Sequence, residues 1–171
     1  MKISIREGAV FSMLGAIMYC SKLIMEAFPN IHLVGVFAVA FTLVYRKKAL
    51  YPIYIFVLLS GLLSGFSTWW IPYLYIWTVL WGITMLLPQN MPKKVAPIVY
   101  AAACALHGLF YGVLYAPVQA LFFGLDFKGM LTWIAAGFSF DILHCIGNLC
   151  GGALIVPIAS LLRTAEKYSS K

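Results

Sequence analysis

The sequence predicts an all-α membrane protein of six transmembrane helices, with both termini cytoplasmic and a single transmembrane domain over residues 1–171. Three observations predict it. Of the 171 residues 63% are hydrophobic and 10% charged, with a mean hydropathy of +0.95, whereas about a quarter of a soluble domain is charged. The apolar residues gather into six runs, each bounded by charges, Pro or Gly. Ten of the twelve Lys and Arg fall in the N-terminus, two alternate gaps and the tail, which the positive-inside rule assigns to the cytoplasm. The net charge of +7 is therefore a topology signal rather than a sign of nucleic acid, and the partner it requires is the lipid bilayer.

The first run, residues 8–28, follows Lys2 and Arg6 as a signal peptide would, but no small-residue cleavage box follows it. It is expected to be the first span. The second, 31–45, reaches only about 22 Å at 1.5 Å per residue and needs a thin bilayer or borrowed flanking residues. Runs 50–66 and 71–87 come next, with the stretch Ser67-Thr68-Trp69-Trp70-Ile71-Pro72-Tyr73 at their junction. Runs 95–123 and 129–162 are long enough to tilt or to extend beyond the lipid. On this topology the 1–2, 3–4 and 5–6 connections face outward and are short. Cys20, Cys104, Cys145 and Cys150 all lie inside apolar runs with no C-x-x-C pair, so neither a disulfide framework nor a zinc site is expected.

Polar residues inside these runs form the candidate site. Asp141, His144 and Asn148 fall at roughly 0°, −60° and −20° on a helix, so they share one face. An ionisable group facing hydrocarbon costs at least about 2.5–3.5 kcal/mol, which turns that face toward a bundle interior or a wet cavity. Asp141 and His144 could also bond each other as a structural pair. Trp133 and Gly137 continue the face outward, and the Asn148 amide suits the edge of a heterocycle. Tyr73, Trp77 and Trp81 make an i, i+4, i+8 stripe that could stack on a planar ring; Trp69, Trp70 and Tyr75 fit an interfacial aromatic belt. His107, Tyr111, Tyr115 and Gln119 recur every four residues, the last three nearer the outside. Glu26, spaced i, i+4 from Lys22, is either a snorkelling partner or a contact for a solute, and Asn30 lies in the outward connection beside it. On the first run Gly8, Ala9, Ser12, Gly15 and Ala16 form a smooth small-residue surface, suited to internal packing or to docking.

Six spans, a small-residue first helix, an outward polar and aromatic cavity and FDILHCIGN at 140–148 together resemble the S components of energy-coupling factor (ECF) vitamin transporters. The likeness covers nearly the whole chain. The family's first-helix surface is typically A-x-x-x-A, where this chain has Gly8-x-x-x-Ser12 and Ser12-x-x-x-Ala16. The resemblance implies a subunit of a prokaryotic cell membrane that captures a micronutrient from outside; depth and facing make Glu26, Asn30, Tyr73, Trp77, Tyr111, Tyr115, Gln119, Trp133, Asp141, His144 and Asn148 the candidate contacts, and Asn148 is the position the resemblance carries over most readily. It implies docking through the first helix onto a transmembrane coupling subunit that works with two cytoplasmic ATPases. No cofactor, metal or catalytic group is expected; the chain has no G-x-x-x-x-G-K-[ST] and no H-E-x-x-H. The lining suits a planar, nitrogen-rich vitamin or nucleobase-like compound, such as thiamine-related pyrimidines, pyridoxine forms or the deazaguanine precursors of queuosine. Two rival functions use the same residues: an intramembrane enzyme with Asp141 and His144 as an acid–base pair, and a proton-coupled carrier acting alone.

Overall fold

The computed structural model describes residues 3–27 and 30–169, apart from the side chain of Ser169. The expected end of the first span at Phe28, and the charges Lys2 and Lys171, lie outside the described residues. Among the described residues there are eight α-helices: α1 (Ile5–Ile24), α2 (Val34–Tyr45), α3 (Leu50–Ser64), α4 (Tyr73–Leu86), α5 (Ala96–Leu109), α6 (Tyr111–Phe123), α7 (Phe127–Gly151) and α8 (Ile155–Ser169). No strand occurs among the described residues.

The expectation of six transmembrane helices is corrected to four. Among the described residues, the helical stretches long and apolar enough to cross a membrane are Ile5–Ala27, Val34–Ser64, Ala96–Phe123 and Phe127–Tyr168. The charges Arg46-Lys47-Lys48, which resemble a gap in the sequence, are carried on a 3₁₀ turn over Arg46–Ala49 that joins α2 directly to α3. Arg46 itself takes a non-helical conformation, φ 53° and ψ −120°. The expected span over 71–87 supplies only 14 helical residues, about 21 Å of helix against a hydrocarbon core of about 30 Å.

Local chemistry sets the helix ends. Ser4 and Glu7 form a reciprocal capping box at the start of α1: the Glu7 N–H donates to Ser4 Oγ (3.2 Å) and the Ser4 N–H to Glu7 Oε2 (3.0 Å). Gly124 closes α6 in the left-handed conformation (φ 64°). Asp126 then opens α7, its Oδ1 accepting from the Gly129 N–H at 2.7 Å.

Inside, α1 lies along α3, and α2 is packed between α4 and α8. Phe11, Met18, Val34, Val39, Phe41, Ile53, Phe56, Ile76, Trp77 and Leu80 fill the interior. The densest contact is between α5 and α7, and a polar side chain organises it. Asn148 donates from Nδ2 to the Cys104 carbonyl at 3.0 Å. A Cβ on Gly108 would lie 2.7 Å from Asn148 Nδ2 and 2.9 Å from the His144 carbonyl oxygen, so only glycine permits this approach.

At one end of the bundle the cations converge. Lys48 pairs with Glu7, Arg46 donates to the Met85 carbonyl at 3.0 Å, and Trp81 Nε1 donates to the Arg46 carbonyl at 3.1 Å. Tyr45 donates to Glu166 at 3.2 Å and Arg163 to the Leu43 carbonyl at 3.3 Å. Contacts between segments far apart in sequence therefore gather the basic residues in one place.

Asn148→Ala should lower the unfolding free energy in detergent by about 1–2 kcal/mol, the usual worth of an interhelical hydrogen bond in a model membrane helix. Gly108→Val should cost about 1–3 kcal/mol by overpacking. Thermal unfolding followed by circular dichroism measures both, and unchanged midpoints would contradict this account of the α5–α7 contact.

Candidate functional site

At the end away from the cations, two cavities adjoin. The first, about 220 Å³, is lined by Lys22, Met25, Glu26, Asn30, Ile31, His32, Tyr73, Tyr111 and His144. The second, about 320 Å³, is lined by Asn30, Tyr111, Gly112, Tyr115, Gln119, Trp133, Gly137, Phe140, Asp141 and His144. They share Asn30, Tyr111 and His144. The Tyr111 and His144 rings stack between them, centroids 4.6 Å apart and planes 15° from parallel.

This stack exists because the fifth expected span is interrupted. In a continuous helix the Gly112 N–H would aim at the Gly108 carbonyl. Here it donates to Asp141 Oδ1 at 2.9 Å, and the helix breaks at Phe110 (φ −97°, ψ 12°) before resuming as α6. The carboxylate thus caps the positive end of α6. Gly112 is required: a Cβ there would lie 2.4 Å from Asp141 Oδ2. That second oxygen is buried and has no hydrogen-bond partner among the described residues, while Asp141 as a whole is 3% exposed.

His144 Nδ1 lies 3.0 Å from the Phe140 carbonyl. A carbonyl only accepts, so Nδ1 carries the proton, and in the neutral ring Nε2 is left as an acceptor. Asp141 and His144 therefore hold separate backbone partners, Gly112 and Phe140. Neither bond joins one to the other.

Aromatic rings extend the wall on both sides. Tyr73, Trp77 and Tyr111 follow one another, with Tyr73–Trp77 centroids 5.6 Å apart and Trp77–Tyr111 6.2 Å apart. Tyr115 stacks on Trp133 at 5.9 Å and 19°. Lys22 sits 5.5 Å over the Trp69 ring, a cation–π contact that holds the ammonium at the cavity rim.

Of the eleven candidate contacts, nine line the two cavities: Glu26, Asn30, Tyr73, Tyr111, Tyr115, Gln119, Trp133, Asp141 and His144. Trp77 and Asn148 line neither. Trp77 is 1% exposed and packs behind the wall, its Nε1 without a partner among the described residues. Asn148 is spent on the α5–α7 contact. Trp81, the inner end of the aromatic stripe, bonds Arg46 at the basic end.

Sequence reasoning left out His32 and gave Lys22 second place. His32 shares a short connection with Glu26 and Asn30, which was its one visible signal. Its ring lies 5.5 Å from His144 and 6.0 Å from Trp77, and its Nδ1 is sealed from solvent without a partner among the described residues. Burial, and after it the proximity of His144, pushes the imidazole down to about 3, so it is neutral at physiological pH.

The small-residue surface of α1 divides. Gly15 is buried against α3, where a Cβ would lie 2.6 Å from Ile55 Cγ2 and 3.0 Å from the Pro52 carbonyl oxygen. Ala9 and Ser12 are exposed, Gly8 and Ala16 partly so. Ser12 turns its hydroxyl back onto the Gly8 carbonyl at 2.9 Å.

Among the described residues, no group of three or more His, Cys, Asp or Glu side chains is placed to hold a metal ion. No family model, no curated protein and no solved structure matches the chain. The class the coordinates define is a multi-pass, all-α membrane protein.

Asp141→Ala should destabilise the protein by about 1–3 kcal/mol, because the buried Gly112 N–H loses its acceptor. Asp141→Asn keeps an acceptor oxygen and should cost less than half of that. Unfolding midpoints of the two variants in one detergent decide it: equal losses would mean that the Gly112 bond is not what Asp141 contributes.

Proposed function

We propose that this protein captures a small, planar, polar solute within the membrane, as the substrate-binding subunit of an ECF-type importer. The observation that carries the reading is the pair of adjoining cavities divided by the Tyr111–His144 stack. Their lining combines ring faces, one cation at Lys22, carboxylates at Glu26 and Asp141, and the amides of Asn30 and Gln119. Such a lining meets a flat heterocycle with stacking on its faces and hydrogen bonds at its edge. A vitamin or nucleobase-like compound fits that chemistry, the queuosine precursors among them.

The importer assignment rests on the resemblance of the first helix and of FDILHCIGN to S components. On that assignment the basic end and both termini face the cytoplasm of a prokaryotic cell, and the cavities open outward. Gly8, Ala9, Ser12 and Ala16 supply the docking face toward a coupling subunit that works with two ATPases. Gly15 belongs to the α1–α3 contact instead. Energy then comes from the ATPases, and this chain's part is to bind and present the solute. The acid–base reading of Asp141 and His144 gains nothing from the geometry, since the two side chains do not bond each other.

The test is to purify the chain in detergent, extract any small molecule that accompanies it and identify it by mass spectrometry. A stoichiometric heterocycle is expected. Tyr111→Ala should weaken its binding by about 2–10-fold, the equivalent of an aromatic contact worth about 0.5–1.5 kcal/mol. Lys47→Gln, at the other end, should leave binding unchanged. Recovery of a covalently altered product that disappears with His144→Ala would instead favour an enzyme. Co-purification with a coupling subunit, lost when Ser12 is replaced by Trp, tests the partner separately.

A further inference from the structure

At the basic end a third cavity, of about 350 Å³, opens between α2, α5 and α8. Its polar wall includes Lys93, Arg163 and Tyr100, and its apolar wall Leu43, Met91 and Val156. Among the described residues, no acidic side chain lines it. Glu7 and Glu166 line a separate cavity beside Arg6 and are engaged by Lys48 and Tyr45 respectively.

Tyr100 is the distinguishing feature. It is 7% exposed and lines this cavity, and its hydroxyl makes no hydrogen bond among the described residues. Arg163 spends one guanidinium nitrogen on the Leu43 carbonyl and keeps its remaining donors. The first turn of α5, Ala96 and Pro97, also borders the cavity and adds partial positive charge of the same sign. Two cations, an unused donor and an apolar flank thus meet in one concavity with no anion to satisfy them.

We propose that this cavity binds a phosphate group, presented by the headgroup of an anionic phospholipid. Lys93 and Arg163 pair with the phosphate oxygens, the Tyr100 hydroxyl donates to one of them, and an acyl chain lies over Leu43, Met91 and Val156. Basic concavities between membrane helices suit such headgroups, and the guanidinium fork matches the phosphate geometry. A free phosphate ester offers the same oxygens but has no use for the apolar flank. The proposal is independent of the solute site at the opposite end.

Native mass spectrometry of the full chain in a neutral detergent tests it, with phosphatidylglycerol or phosphatidylcholine of matched acyl chains as probes. Phosphatidylglycerol should be retained in preference. Lys93→Gln and Arg163→Gln should each weaken it about fivefold, and Tyr100→Phe by about as much. Arg163→Lys should restore most of the loss, and Lys47→Gln, on the same end but outside the cavity, should have no effect. Equal retention of the two lipids, or a double Lys93→Gln/Arg163→Gln variant that binds phosphatidylglycerol as the wild type does, overturns the proposal. Displacement of the lipid by millimolar inorganic phosphate would overturn the lipid as the source of the phosphate.

Discussion

A single hydrogen bond, from the Gly112 amide to Asp141 Oδ1, sets the geometry on which the site depends. An uninterrupted helix from Ala96 to Phe123 would keep that amide within its own ladder. By drawing it out, the carboxylate breaks the helix at Phe110 and places Tyr111 at the head of a new segment, flat against His144. The cost is a buried carboxylate oxygen with no partner among the described residues. Backbone polar groups at membrane depth are tolerated off the helical ladder only where protein re-satisfies them, and here the side chain of the neighbouring helix does so.

The same face of α7 serves two purposes at two depths. Asp141 and His144 turn toward the cavities, one holding the helix break and the other stacked on Tyr111. Asn148, on the same side about one turn below His144, closes on the Cys104 carbonyl and lines neither cavity. Gly108 on α5 and Gly112 on α6 match this division: one admits the Asn148 contact and the other admits the carboxylate. Rigid packing below and an open wall above are what a binding site built on helices requires, because the lower contact prevents the upper one from closing.

Electrostatics separates the two ends. The end with the two adjoining cavities carries Lys22, Glu26 and Asp141 among aromatic rings. The other end is dominated by cations from four separate segments, which repel one another unless anions or backbone carbonyls intervene. Glu7 and the Met85 and Leu43 carbonyls take up part of that charge. Lys93 and Arg163 share a cavity in which, among the described residues, no acidic side chain opposes them.

Membrane residence, helicity and the grouping of Asp141, His144 and Asn148 on one side of a helix were determined by the sequence alone, because transfer free energy and the 3.6-residue period act locally. The number of membrane-length helices was not legible in that way. Three consecutive cations after Tyr45 read as a break, yet the backbone continues through them as a 3₁₀ turn, and the run over 71–87 looked long enough to span until its connection claimed the first residues. Nor could periodicity distinguish Asn148 from His144, since both share a face and both carry polar edges. Only the tertiary structure decided that one meets a carbonyl and the other a cavity, because that depends on what the neighbouring helix presents at each depth. Gly108 and Gly112 set that distance, and glycine in a sequence does not say what will approach it.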